Sequence, residues 1–270
     1  MRELTGRVVL VTGAGSGIGR ATALAFAARG ARLIVADVDA DGLAGIAAAL
    51  GPRCLLAHRV DVADRAAMAA FADAVHAVVP AVDVLINNAG VAVSGGLLDT
   101  SLDDWDWLLG VNLRGVVHGC HFFVPAMVAR GAGGHVVNVS SVLGLYGAPG
   151  VLAYVTSKFA VRGLSEGLRA ELAPHHIGVS AICPGMINTR IVVQARRGSG
   201  ASAQAAAARA VDRFRKRGAD PALVGAAIVD AVVRDRALVP VAPEAWVIWG
   251  LARAAPGLLA RLGQRAMAKV

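Results

Sequence analysis

Short unbroken apolar runs alternate along the chain with longer stretches whose apolar residues recur at helical spacing. The runs at 7–12 (RVVLVT), 31–36 (ARLIVA), 53–59, 82–86 (VDVLI), 135–140 (HVVNVS), 177–183 and 237–239 read as strands. They are continuous rather than alternating, so both faces of each strand are expected to be buried. Between them, helices are predicted over 17–29, 39–50, 63–79, 101–130, 151–173 and 221–234, with Pro174 stopping the helix before it. The Ala- and Arg-rich stretch 191–217 also reads as helix, interrupted by Gly-Ser-Gly at 198–200. Strand–helix alternation without an internal repeat or a linker predicts one α/β unit over 1–240. Its centre is a doubly wound, parallel, seven-stranded sheet flanked by helices, with right-handed crossovers. A C-terminal amphipathic extension, 241–270, follows.

Thr12-Gly13-Ala14-Gly15-Ser16-Gly17-Ile18-Gly19 falls between the first strand and the first helix. Glycines there let the backbone turn tightly and approach a pyrophosphate. The helix that follows offers free N–H groups and the positive end of its dipole. Such a turn could be a ligand-free connection, but its place between strand and helix points to a dinucleotide. Asp37 ends the second strand. A carboxylate there can accept hydrogen bonds from both ribose hydroxyls of the adenosine half, and it would repel a 2′-phosphate. Ala14, Ser16 and Val38 are uncharged, so the residues favour NAD over NADP. Asp37 could instead cap the helix beginning near Asp39. Asp61, ending the third strand, could touch the adenine edge or cap the next helix.

Tyr154 and Lys158 lie four apart on one predicted helix and therefore share a face. A free tyrosine has a pKa of about 10, and a base working near neutrality needs roughly 2–3 units less. A nearby ammonium favours the phenolate and supplies part of that shift. The glycine pattern, Asn87-Asn88-Ala89-Gly90 after the fourth strand, and Tyr154-Val-Thr-Ser-Lys158 together resemble the short-chain dehydrogenase/reductase family, over about residues 5 to 190. The resemblance implies a Rossmann-type fold and an NAD(P)-dependent oxidoreductase acting on CH–OH groups. Asn112 matches the family's helix asparagine, expected to hold a relay water for Lys158. Ser141, thirteen residues before Tyr154, matches its catalytic serine. Tyr154 would be the acid/base, and Lys158 its partner and the holder of the nicotinamide ribose.

Cofactor contact is implied for Gly13, Gly15, Ser16, Gly17, Ile18, Gly19, Asp37, Asp61, Val62, Asn88, Ala89 and Gly90. It is also implied for Pro184, Gly185, Ile187 and Thr189, in the segment that cups the nicotinamide. Residues 190–217 fall where the family has its substrate lid. Ser94, Val142, Leu143, Tyr146 and Met186 would line the pocket, and the apolar character of this lining points to an apolar secondary alcohol or ketone, steroid-, terpenoid- or acyl-like. Association through the 101–130 and 151–173 helices, as a homodimer or homotetramer, is a further implication.

Composition changes this picture little. With 56% hydrophobic residues and only 4% aromatic ones, Ala, Val, Leu and Ile must fill the core. The formal net charge is +8, but the excess sits late, with eight Arg or Lys between Arg190 and Arg217 opposed only by Asp212. No nucleic-acid motif accompanies it, so solvated helix faces are expected rather than a nucleic-acid partner. Cys54, Cys120 and Cys183 form no CxxC pair and read as free thiols. The first residues have no signal-peptide layout, which points to the cytoplasm. His118, Cys120 and His121 have ligand chemistry, but no third ligand set accompanies them, so no metal is expected. The tail around Trp246, Trp249 and Leu258 either lies on a membrane surface or packs as a flap over the pocket or a neighbouring subunit; the flap is favoured. Two other functions compete: an NADPH-dependent carbonyl reductase, and a non-catalytic dinucleotide-binding regulator. The complete set of Asn112, Ser141, Tyr154 and Lys158 speaks against the latter.

Overall fold

The apolar runs form strands because each one is covered on two sides. In the computed structural model, which describes residues 3–198, 208 and 211–267 with side chains through 261, every residue of β1 (Val8–Thr12) and β4 (Val84–Asn87) is buried. They occupy the middle of a seven-stranded, wholly parallel sheet. Its other members are β2 (Arg32–Asp37), β3 (Cys54–Arg59), β6 (Gly134–Val139), β7 (Ile177–Pro184) and β9 (Leu238–Val241). The spatial order is β3-β2-β1-β4-β6-β7-β9. Pro240 lies in β9, an edge strand, where a missing backbone N–H leaves no ladder position unmade. The chain runs outward from β1 to β3 and then returns to β4 beside β1. The carboxyl ends of β1 and β4 thus border a crevice at the switch point, the usual ligand site of such sheets.

One face of the sheet carries α1 (Gly17–Ala28), α2 (Ala40–Leu50) and α7 (Pro221–Arg234), whose Phe26, Ile46 and Ile228 are fully buried. The other carries α3 (Arg65–Val78), α5 (Gly115–Arg130) and α6 (Leu152–Leu172). Phe71 and Phe123 meet edge-to-face there, with centroids 5.6 Å apart. Burying a side chain of this size contributes about 1.5–3 kcal/mol, so a few aromatic anchors suffice in an Ala- and Val-rich core.

Three segments differ from the pattern-based expectation. The helix predicted over 101–130 is two helices, α4 (Leu102–Leu109) and α5, joined without a break by a wide turn over Gly110–Arg114. There the Gly115 N–H goes to the Gly110 carbonyl instead of the Val111 carbonyl an α-helix would use. The stretch 191–198 is not helical. It turns at 190–194 and then forms a short strand, β8 (Arg196–Arg197), parallel to β5 (Val93–Ser94). Tertiary ladder bonds override the helical propensity of its Ala and Arg residues. Helix returns over 211–217, while Ser199 and Gly200 of the expected interruption lie outside the described residues. The extension is two helices, α8 (Pro243–Ala254) and α9 (Pro256–Met267). Among the described residues no helix is long and apolar enough to cross a membrane.

Candidate active site

The glycine turn closes the crevice from the β1 side. Gly13 has φ +64°, and a Cβ on it would come within 2.7 Å of the Ala89 Cα. A Cβ on Gly19 would run into the Gly13 carbonyl and the Asn88 amide. Asn88 explains this closeness: its amide nitrogen donates to the carbonyls of Thr12 (2.9 Å) and Gly13 (3.0 Å). Thr12 Oγ1 accepts in return from the N–H groups of Asn88 and Ala89. Both amide hydrogens of Asn88 are therefore committed to shaping the turn. Ser16 occupies the N-cap position of α1, but its side chain caps nothing. The first N–H groups of α1 therefore have no capping side chain, and an uncapped helix start suits a phosphate.

Asp37 sits across from this turn. Its Oδ2 accepts from Gly15 N at 2.7 Å, and its Oδ1 from Asp39 N at 2.9 Å. Asp39, not Asp37, is the N-cap of α2, accepting from Asp41 N and Gly42 N. A carboxylate has about four acceptor positions, so two remain for a ribose diol. Asp61 is likewise not the cap of α3; Asp64 is, while Asp61 Oδ1 accepts from Ala63 N at 2.9 Å. Val62 is buried, and its carbonyl engages His118 Nδ1 at 2.8 Å, so that histidine has a structural partner. On the far side, Ile187 is buried and bridges to Ala219. Thr189 comes back against Gly17, whose added Cβ would lie 3.2 Å from Thr189 Cγ2. The glycine turn and the 184–189 segment thus face each other. Phosphate-sized backbone donors, a cradle that side chains would fill, and the Asp37 carboxylate together fit a dinucleotide.

Four side chains converge beyond that cradle. Lys158 is 3% exposed; its Nζ donates to the Val139 carbonyl at 3.0 Å and stands 5.5 Å from the centre of the Tyr154 ring. Gly90 lies between Lys158 and Asn112: a Cβ on it would be 3.5 Å from Lys158 Nζ and 3.4 Å from Asn112 Oδ1. Burial pushes the Lys158 ammonium down to about 8, against a raising influence from Cys183. Burial pushes the Tyr154 phenol up to about 12, while a hydrogen bond with the Ser141 side chain lowers it. The expected fall below 10 is therefore absent from the chain alone, because desolvation of the phenolate outweighs the Ser141 hydrogen bond. Ser141 Oγ also accepts from Leu143 N at 3.1 Å.

Asn112 sits in the wide turn and is fully buried. Its Oδ1 accepts from Val91 N (2.8 Å), and its Nδ2 donates to Val91 O (2.9 Å) and Ser157 Oγ (3.1 Å). Both donor hydrogens of the Asn112 side chain are thus committed to protein partners.

Several residues of the site carry no signal in the sequence. Ser157 anchors Asn112 and donates to the Tyr154 carbonyl, and Ser140 donates to the Lys158 carbonyl at 2.8 Å. A buried chain of Asn87, Asn138 and Ser165 ties β4, β6 and α6 together behind them. Glu244, the last acid in the chain, accepts from Met186 N at 2.7 Å and ties α8 to the 184–189 segment. Of the suggested pocket residues, Val142 and Leu143 form a tight turn after Ser141 that α8 packs against, and Tyr146 is partly buried. Ser94 belongs to β5 and faces the β8 strap. Trp105 and Trp107, which sequence reading passed over, pack with Tyr154 against Val93, Leu108 and Ala153.

A parallel sheet with a switch-point cradle, and a half-buried tyrosine beside a buried lysine, define a dinucleotide-dependent redox protein. The sequence model of the short chain dehydrogenase family matches residues 7–200. The chain belongs to the short-chain dehydrogenase/reductase family of oxidoreductases. It is 42% identical, over 93% of its length, to EphD of Mycobacterium tuberculosis, named as an oxidoreductase, but spans only 44% of that relative. It is 40% identical to SadH of the same organism, also named as an oxidoreductase, over 100% of this chain and 98% of the other. A short-chain dehydrogenase/reductase from Burkholderia phymatum, solved in complex with NAD, superposes with a TM-score of 0.88 at 33% identity, covering 96% of each chain.

Proposed function

We propose that this chain is an NAD-dependent oxidoreductase that passes a hydride between the nicotinamide and an apolar secondary alcohol or ketone. The observation that carries the reading is the convergence of Tyr154, Lys158 and Ser141 at the open end of the Asp37 cradle. Asp37 supports NAD over NADP, since its carboxylate stands where a 2′-phosphate would add a second negative charge. The oxidised cofactor, held by the glycine turn, Asp37 and the 184–189 segment, would supply hydride acceptance and positive charge at the site.

Tyr154 then serves as acid/base at its phenolic oxygen. Burial holds it protonated in the chain alone, so its proton leaves only when positive charge is added nearby. Ser141 Oγ donates to the substrate oxygen and orients it toward the phenol. Lys158, held by Val139 and aligned beneath the Tyr154 ring, favours the phenolate and positions the nicotinamide ribose. Asn112 acts as a brace: it fixes the Val91 backbone and Ser157, and so the base of the Tyr154 turn. Residues 1–240 form the catalytic unit. Part of the 190–217 segment lids the pocket, and the 241–270 extension flaps against it through Glu244 and Met186. Pairing of two or four copies through α5 and α6 belongs to the same reading.

An NAD-reduction screen over apolar secondary alcohols tests it. Tyr154→Phe is expected to lower turnover by about 10²–10⁴-fold with NAD binding retained. A Phe variant as fast as the parent refutes the assignment. Tighter binding of NADPH than NADH in a fluorescence titration refutes the cofactor choice.

A further inference from the structure

Arg196 stands out among the many arginines of the 190–217 segment because three separate contacts hold it. Its guanidinium lies 3.8 Å over the centre of the Trp107 ring. Its terminal nitrogen is 3.1 Å from Asp104 Oδ1. Its backbone is locked into a ladder, with Arg196 N donating to Ala92 O at 3.0 Å and Gly198 N to Ser94 O at 2.7 Å. The platform is built in advance. Asp104 is fixed at the first turn of α4 by Ser101, whose hydroxyl donates to Asp104 Oδ2 at 2.9 Å. Trp107 packs on the same small apolar cluster as Tyr154.

The strap is also joined to the start of α6. Gly95 N donates to Gly150 O at 2.8 Å, and Leu152 N to Gly95 O at 3.3 Å. The order in space is therefore β8 strap, β5, and the first turn of the helix that bears Tyr154. A guanidinium is suited to this task because it can stack flat on an indole while its edge meets a carboxylate; an ammonium cannot do both.

We propose that Arg196 is a positioning residue that latches the 196–198 strap closed over the substrate pocket. The latch rests on the reading of Tyr154 as the reacting group only for its effect on substrate. Its mechanical part stands on the contacts themselves. The indole and the carboxylate hold the guanidinium, the guanidinium holds the ladder, and the ladder runs beside Ser94. Release requires the stack and the ion pair to open together, so high salt loosens the latch without abolishing it.

The test compares the parent with Arg196→Ala and Arg196→Lys, since this exposed side chain leaves the core untouched. Hydrogen exchange of the 194–198 amides is measured first, in the cofactor-free full chain. The Ala variant is expected to exchange roughly ten-fold faster there, the Lys variant at an intermediate rate, and amides of the central strands unchanged. Equal exchange in parent and Ala variant overturns the latch, whatever the enzyme's activity. With NAD and an alcohol found by the screen, the Ala variant is expected to raise the alcohol KM several-fold, with the Kd for NADH unchanged. Faster exchange with an unaltered alcohol KM overturns the placing of the strap over the pocket. A parent chain without NAD-linked turnover speaks against the proposed reaction, while the exchange result still decides the latch.

Discussion

Replacing Lys158 by Met is expected to make the protein more stable and inactive at once. Lys158 is 3% exposed, and its ammonium is pushed from 10.5 down to about 8 by burial. A folded-state value below the unfolded one means that the native state binds this proton more weakly than the unfolded chain does. The charged group therefore destabilises the fold, fully below pH 8 and not at all above pH 10.5. A difference of this size corresponds to about 3 kcal/mol. The substitution also removes the hydrogen bond to the Val139 carbonyl and leaves that acceptor unpaired, a loss of about 1–2 kcal/mol. The net gain near neutrality is then about 1–2 kcal/mol, or roughly 2–8 °C in Tm for a chain of this size. Thermal unfolding of both proteins at several pH values between 7 and 10.5 measures it. The stabilisation should be constant up to about pH 8 and then decline and change sign as the parent lysine becomes neutral. A variant less stable than the parent at pH 7, or a difference indifferent to pH, would show that the ammonium is not held against its own desolvation.

Other expectations follow from single contacts. Asp37→Ala removes the carboxylate that holds Gly15 N and the expected ribose diol; NADH binding should weaken about 10–100-fold and the preference over NADPH should shrink, as read by fluorescence titration. Asn112→Ala breaks three hydrogen bonds of a buried side chain and leaves both Val91 groups without that partner. It should destabilise by about 2–4 kcal/mol in chemical denaturation, and a change below 0.5 kcal/mol would contradict the brace role. Glu244→Ala frees Met186 N and loosens the 184–189 segment; the KM for NAD should rise several-fold with kcat nearly unchanged, whereas an unaltered KM would separate α8 from the cofactor site.

The regular parts of the fold were legible because one kind of residue pattern has one good solution. Continuous apolar runs such as VVLVT are buried on both faces only in a parallel sheet covered by helices, and α7 begins at Pro221 and ends at Arg234 as its cap and periodicity require. The glycine turn was legible as well, since Gly13 and Gly19 stand where any side chain would collide with Asn88 or Ala89. The strap was not. Residues 191–198 take their helical reading from the Ala- and Arg-rich stretch around them, yet Arg196 and Arg197 form a strand because Ala92 and Ser94 bond to this backbone and Asp104 and Trp107 hold the Arg196 side chain, all about a hundred positions earlier. The wide turn at Asn112 was hidden for the same reason: helical periodicity over 101–130 does not register one widened turn.

The chemistry divides along the same line. The sequence by itself determined the fold class, the dinucleotide cradle and the pairing of Tyr154 with Lys158, because these depend on local geometry: a turn, a strand end, a four-residue helical spacing. Only the tertiary structure decided what state those groups are in. Desolvation is a property of everything packed around an atom, so no spacing shows that Tyr154 is pushed up to about 12, or that Lys158 is pushed down to about 8. The same holds for Asn112, whose donors are already taken by Val91 and Ser157 across the chain. Likewise Glu244, a lone acid in a basic tail, meets Met186 only because β9 returns the chain to the edge of the sheet.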